Sequence, residues 1–219
     1  MWRTGSSGYV GNIVAVAEQK SLSSLERGTD LSRIVAFVDA VFAIAITLLV
    51  LQLDVPTGLD SGSELWAKLK DQAPDFFAFA ISFAVLGFYW LVNHRLMRTL
   101  AEFDARLIIL ILFYLAFIVL IPFSSQLLGE NGDLDLAVAI YTANVVLVNA
   151  GLTLILMHAE RAGLEKPEYH DQLVLGRKAS AFTTLTFPLA VPLAFLVGSW
   201  ALFIWWPLSM FNPYQRKRS

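Results

Sequence analysis

The sequence predicts an all-α, polytopic membrane protein with six transmembrane helices per subunit. Three observations carry that expectation. Of 219 residues, 57% are hydrophobic and only 16% charged, where a soluble domain carries about 25% charged residues. The apolar residues come in long blocks, as a bilayer solvent requires. The loops between the blocks alternate between basic and acidic, as the positive-inside rule leads one to expect of a polytopic chain.

Residues 1–29 read as a flexible cytoplasmic leader. Ala15-Val16-Ala17 resembles a small-residue cleavage site, but Ser6, Ser7, Gly8, Gly11 and Asn12 interrupt the apolar run before it, so a cleaved signal peptide is not expected. A six-helix membrane domain follows over 30–212, with helices at about 31–53, 76–94, 106–128, 134–158, 173–197 and 199–212. Thr29-Asp30 offers a cap for the first, and Asp54, Pro56 and Gly58 close it. A short amphipathic helix is expected at Glu64 to Lys70. Pro122 predicts a kink in the third helix, its freed carbonyl satisfied by neighbours. Gly129-Glu130-Asn131-Gly132 predicts a tight turn. Ala179 to Phe211 is apolar almost throughout. A single helix of that length would run about 50 Å, too long for a bilayer. Pro188, Pro192 and Gly198 therefore predict a hairpin of two helices.

Loop charge predicts the orientation. Arg95, Arg98 and Arg106 lie between the second and third helices, and Arg161, Lys166, Arg177 and Lys178 between the fourth and fifth. The tail, 213–219, adds Arg216, Lys217 and Arg218. Glu130, Asp133 and Asp135 lie between the third and fourth helices with no base. Both termini are thus expected in the cytoplasm. Trp90, Trp200, Trp205 and Trp206 fall near expected helix ends, as an aromatic belt would.

The first helix carries the chemistry. At 100° per residue, Arg33, Phe37, Ile44, Leu48 and Leu51 share one narrow stripe, with Thr47 at its edge. Asp39 points to nearly the opposite face. An acid within a membrane helix is costly and calls for a partner. Asn93, His94 and Arg95, at the end of the second helix, lie at a similar depth, so Asp39 is expected to anchor the first helix to the second there. Such an Asp–His pair can be structural or can relay protons, and an aliphatic stripe by spacing alone is equally the mark of helix packing.

The run Arg33-x-x-x-Phe37-x-Asp39, continued by Ala43-Ile44-Ala45-Ile46-Thr47-Leu48-Leu49-Val50-Leu51, resembles the start of the transmembrane protein 175 family, the lysosomal potassium channels and their bacterial relatives. Trp90, Asn93 and His94 match the end of that family's second helix. Leu120-Ile121-Pro122-Phe123 and Leu128-Gly129-Glu130 match around the third. Val38 departs from the pattern, where the family has serine. The resemblance implies a homotetramer in which the first helix of each subunit lines a central pore, located in the inner membrane of a bacterium. By position, Ile44, Leu48 and Leu51 would form stacked aliphatic rings that act as gate and filter, Ile44 being nearest the cytoplasm and narrowest, with Thr47 adding a hydroxyl. The filter would differ from the carbonyl cage of other potassium channels, since no Thr-Val-Gly-Tyr-Gly segment occurs.

Other functions find less support in the residues. A net charge of −2 gives no basic face for nucleic acid, and the absence of cysteine removes thiolate metal sites and cysteine catalysis. No zinc motif, phosphate loop or nucleophile elbow occurs, so an enzyme is not expected, nor a cofactor or resident metal beyond the permeant potassium ion. The partners expected are further copies of the chain and membrane lipid. The alternative reading is a proton-coupled transporter that uses Asp39 and His94.

Overall fold

The computed structural model describes residues 32–186, all of whose regular elements are helical. Helix α1 spans Ser32–Val50. It is followed by α2 (Gly62–Asp71), α3 (Ala73–Thr99), α4 (Ala105–Glu130), α5 (Asp135–Ala162) and α6 (His170–Thr186). Among the described residues α1, α3, α4 and α5 are each long and apolar enough to cross a membrane. The expected leader, the sixth helix, the basic tail and Trp200, Trp205 and Trp206 lie outside the described residues, as does most of the apolar part of the fifth helix.

Local chemistry sets the helix ends. Ser61 caps α2, its Oγ accepting from the Glu64 N–H at 3.2 Å, yet α2 buries nothing and lies on the surface as the amphipathic reading expects. Asp104 caps α4 by accepting from the Leu107 N–H at 2.6 Å. Helix α5 ends at Gly163, whose φ of 63° places it in the left-handed region, where a residue without a Cβ is at no steric disadvantage. Helix α3 runs to Thr99, five residues beyond the expected end at His94. Leu96 and Met97 are buried, so the helical pattern continues past the charged residues. Trp90 consequently sits within the helix, about two turns before its end.

Helices α3, α4, α5 and α6 pack as successive neighbours. Between α3 and α5, Ser82 Oγ lies 3.1 Å from Tyr141 Oη, and between α3 and α4, Ser125 donates to the Ala78 carbonyl at 3.3 Å. Asn144 of α5 lies 3.1 Å from Ser124 Oγ of α4. Between α5 and α6, Asn149 donates to the Ser180 carbonyl (3.0 Å) and to Thr184 Oγ1 (2.8 Å), while Thr153 lies 2.7 Å from Ser180 Oγ. With no water in the hydrocarbon, such polar side chains stabilise helix pairs only when matched, by about 0.6–2 kcal/mol each. Helices α4 and α5 also approach closely. A Cβ built on Gly151 would stand 3.2 Å from the backbone of Tyr114.

At one end of the bundle the α3–α4 and α5–α6 loops are clamped together. The Ala101 N–H donates to the Leu164 carbonyl and the Lys166 N–H to the Thr99 carbonyl, both at 2.8 Å. Arg95, Arg98, Arg106, Arg161, Lys166, Arg177 and Lys178 all belong to this end. His158 of α5 reaches across to Asp104 at 2.8 Å, and Arg177 of α6 pairs with Glu160 of α5. At the opposite end Asp75 feels Glu130 and Asp54.

Two outcomes follow. Gly151→Ala should lower subunit stability by about 1–3 kcal/mol, because the α4 backbone blocks the added methyl. Gly87→Ala, with open space around it, should be neutral or stabilising by up to about 1 kcal/mol. Thermal melts in detergent compare the two. The Asp104 carboxyl is held below its usual range by the Leu107 N–H and by His158. Its contribution should be complete above the ordinary carboxylate pKa and fade as pH falls through the depressed folded value. Asp104→Asn should therefore flatten the acid limb of a stability–pH profile and lower the plateau above it.

Candidate pore-lining helix

Helix α1 presents two unlike faces. Phe42, Ala45 and Leu49 are fully buried at the i, i+3, i+7 spacing of one helix side. The Phe42 ring meets Tyr114 of α4 at a centroid distance of 6.2 Å and a 50° tilt. On the other side Ile44, Leu48 and Leu51 are 57%, 42% and 76% exposed. The expected aliphatic stripe is therefore not spent on packing within the subunit. Thr47 is exposed beside it, but its hydroxyl donates to the Ile44 carbonyl at 2.9 Å, so its proton is committed to the helix. Arg33 and Phe37 are exposed on the first turns of the helix, and Val38 falls by spacing on the stripe of Phe42, Ala45 and Leu49.

Asp39, half-buried, accepts a hydrogen bond from the Trp90 indole N–H at 3.0 Å. Its partner among the described residues thus stands one turn earlier on α3 than the expected Asn93–Arg95 cluster. The His94 ring lies 5.6 Å from that of Trp90 at a 30° tilt. Arg95 is exposed. Asn93 is 1% exposed and neither polar atom of its amide has a hydrogen-bond partner among the described residues. Trp90 thus touches both titratable groups, Asp39 through its indole N–H and His94 through its ring. An indole N–H only donates, so it links the carboxylate to α3 without offering the proton a second acceptor.

Farther along, Gln52 donates from its side-chain amide to the Pro122 carbonyl of α4. Sequence reasoning missed Gln52. The one signal available was its place just after the apolar block; the carbonyl that Pro122 frees is that of Ile118, four residues earlier, and not the one Gln52 meets. Phe42 was equally legible only in retrospect, as the large residue on the side away from the stripe. Among the described residues no three His, Asp or Glu side chains converge so as to hold a metal ion.

Trp90→Phe should remove the donor, leave Asp39 without a partner and destabilise the subunit by about 1–3 kcal/mol. Trp90→Phe combined with Asp39→Leu should recover part of that loss, which a detergent melting series would show.

Comparison with known proteins agrees with this architecture. A model of the family described as endosomal/lysosomal potassium channel TMEM175 matches residues 33–122, the stretch from the start of α1 to Pro122. A potassium channel of Streptomyces collinus is 33% identical over 170 residues, covering 75% of this chain and 82% of that one. An endosomal/lysosomal proton channel TMEM175 of Danio rerio is 27% identical over 159 residues, which is 68% of this chain but 31% of that one. The crystal structure of a lysosomal potassium-selective channel TMEM175 homolog from Chamaesiphon minutus superposes with a TM-score of 0.74 at 25% identity, covering 87% of this chain and all of that one. With its first helix carrying the stripe and the Asp39–Trp90 contact inside the matched stretch, the chain belongs to the TMEM175 family of membrane ion channels.

Proposed function

We propose that this protein is a potassium-permeable channel, assembled as a homotetramer with one α1 helix from each subunit around a central pore. The observation that carries the reading is the division of α1. It is seated on its own subunit by Phe42, Ala45 and Leu49 and leaves Ile44, Leu48 and Leu51 open. Four copies of that stripe would form successive apolar rings, with Ile44 narrowest, Leu48 and Leu51 beyond it and Thr47 at the edge. The Streptomyces relative, named a potassium channel, supports the choice of ion.

A ring of four isoleucines can close a pore by dewetting. A small rotation of α1 would widen the ring and admit a partly hydrated cation. Potassium sheds water at lower cost than sodium, so an apolar constriction favours it modestly without a carbonyl cage. The acidic end, with Asp54, Asp75, Glu130, Asp133 and Asp135, would raise the local cation concentration. The basic end faces the cytoplasm in this reading, in the inner membrane of a bacterium and with both termini on that side.

Proton permeation is the second reading, favoured by the name of the Danio rerio relative. The relay of Asp39 and His94 has less support, because among the described residues Asp39 is hydrogen-bonded to the Trp90 N–H and not to His94.

Planar-bilayer recording under a potassium gradient tests the proposal: the purified protein should pass potassium without proton coupling. Ile44→Asn should hydrate the constriction, raise conductance and reduce discrimination between potassium and sodium. An unchanged current from that variant would remove Ile44 as the filter. Asp39→Asn should weaken assembly, seen as a lower subunit count in detergent, if the residue anchors α1. Loss of transport with assembly intact would favour the relay.

A further inference from the structure

At the basic end of the bundle, α4 and α5 enclose a cleft of about 300 Å³ lined by Arg106, Leu110, Leu154, Met157, His158, Arg161 and Ala162. We propose that it binds the phosphate of an anionic phospholipid headgroup.

The cleft has two kinds of wall. Arg106, in the first turn of α4, and Arg161, in the last turn of α5, supply guanidinium groups, and both are exposed. Neither is in a salt bridge among the described residues. Arginine forks match phosphate oxygens bidentately, and basic pockets between membrane helices are suited to anionic headgroups. Arg106 is also misplaced for an empty cleft. The N-terminal end of a helix disfavours a cation, and the first turn of α4 holds no acid. The capping Asp104, which also attracts Arg106, is already engaged by the Leu107 N–H and by His158 Nε2. That contact also holds the imidazole at the rim. A phosphate between Arg106 and Arg161 would satisfy both cations and the α4 terminus together.

The floor argues for lipid over a free anion. Leu110, Leu154 and Met157 line the same cleft, one to two turns along their helices from the arginines, where a glycerol backbone and first acyl carbons would follow a headgroup. Beyond the cleft, Ile109, Leu112, Phe113 and Leu147 are exposed on the same two helices. They give the chains an apolar surface leading toward the middle of the span. Inorganic phosphate would gain nothing from such a floor. The leaflet that supplies the lipid rests on the orientation proposed above; the binding does not.

Native mass spectrometry of the full chain released from detergent tests this directly. Phosphatidylglycerol should be retained at collision energies that strip phosphatidylcholine of the same acyl chains. R106Q/R161Q should bind it about tenfold more weakly or worse. R98Q/K178Q, which removes two exposed charges at the same end but outside the cleft, should match the unaltered protein. Met157→Trp, which fills the floor and keeps both guanidinium groups, should also lose the lipid, and it serves if the double variant fails to fold. Equal retention of phosphatidylcholine, equal loss in R98Q/K178Q, or full retention in Met157→Trp would overturn the proposal. So would displacement of the lipid by inorganic phosphate at equal concentration, which would make the site one for a free anion. A protein that carried no current but held phosphatidylglycerol would refute the channel reading alone.

Discussion

Helix α1 is held to the rest of the subunit at three heights, and the open stripe depends on all three. Near its midpoint Asp39 takes the Trp90 N–H and, one turn on, Phe42 meets Tyr114; just past its C-terminal end Gln52 reaches the Pro122 carbonyl. A single apolar contact would leave the helix free to turn about its axis. Two hydrogen bonds and a ring contact together fix the rotation, and fixing it decides which residues face away. A turn of roughly 100° that buried Ile44 would present Ala43 in its place, a residue too small to close a pore.

The scaffold behind α1 is suited to the task. Interior serine, threonine and asparagine side chains pair across each successive helix boundary, as hydrocarbon surroundings demand. Gly151 lets α4 and α5 approach closely enough for Tyr114 to stay fully buried while it contacts Phe42. The loop clamp formed by Thr99, Ala101, Leu164 and Lys166 then ties four helix ends together. Motion that widened a pore would more easily be a rotation of α1 than a deformation of this block, since packed interiors resist continuous strain.

Charge divides the molecule lengthwise. The acidic end and the basic end are separated by helices that are nearly free of charge, apart from Asp39. Its neighbour is a donor, the Trp90 indole N–H, which gives the carboxyl a hydrogen-bond partner inside the bundle. At the basic end the charges are partly matched, by Asp104 with His158 and Glu160 with Arg177, which leaves Arg106 and Arg161 as the pair that faces outward into a cleft.

Helical class, the membrane as solvent and the stripe of Ile44, Leu48 and Leu51 were legible in the residues, because apolar block length and a 3.6-residue period are local properties. So was the special standing of Asp39, since an acid in an apolar helix is costly wherever the helix packs. The choice of Trp90 over His94 as its partner was not legible. It depends on how far α3 slides past α1, and α3 runs past its charged residues because Leu96 and Met97 are buried by other helices. The cleft between Arg106 and Arg161 was equally hidden, since it joins residues 55 positions apart that become neighbours only when α4 and α5 pack antiparallel. Sequence alone determined which faces could exist on each helix. Tertiary packing decided which of them were buried and which stayed exposed among the described residues, because burial is a relation between segments and no single segment contains it.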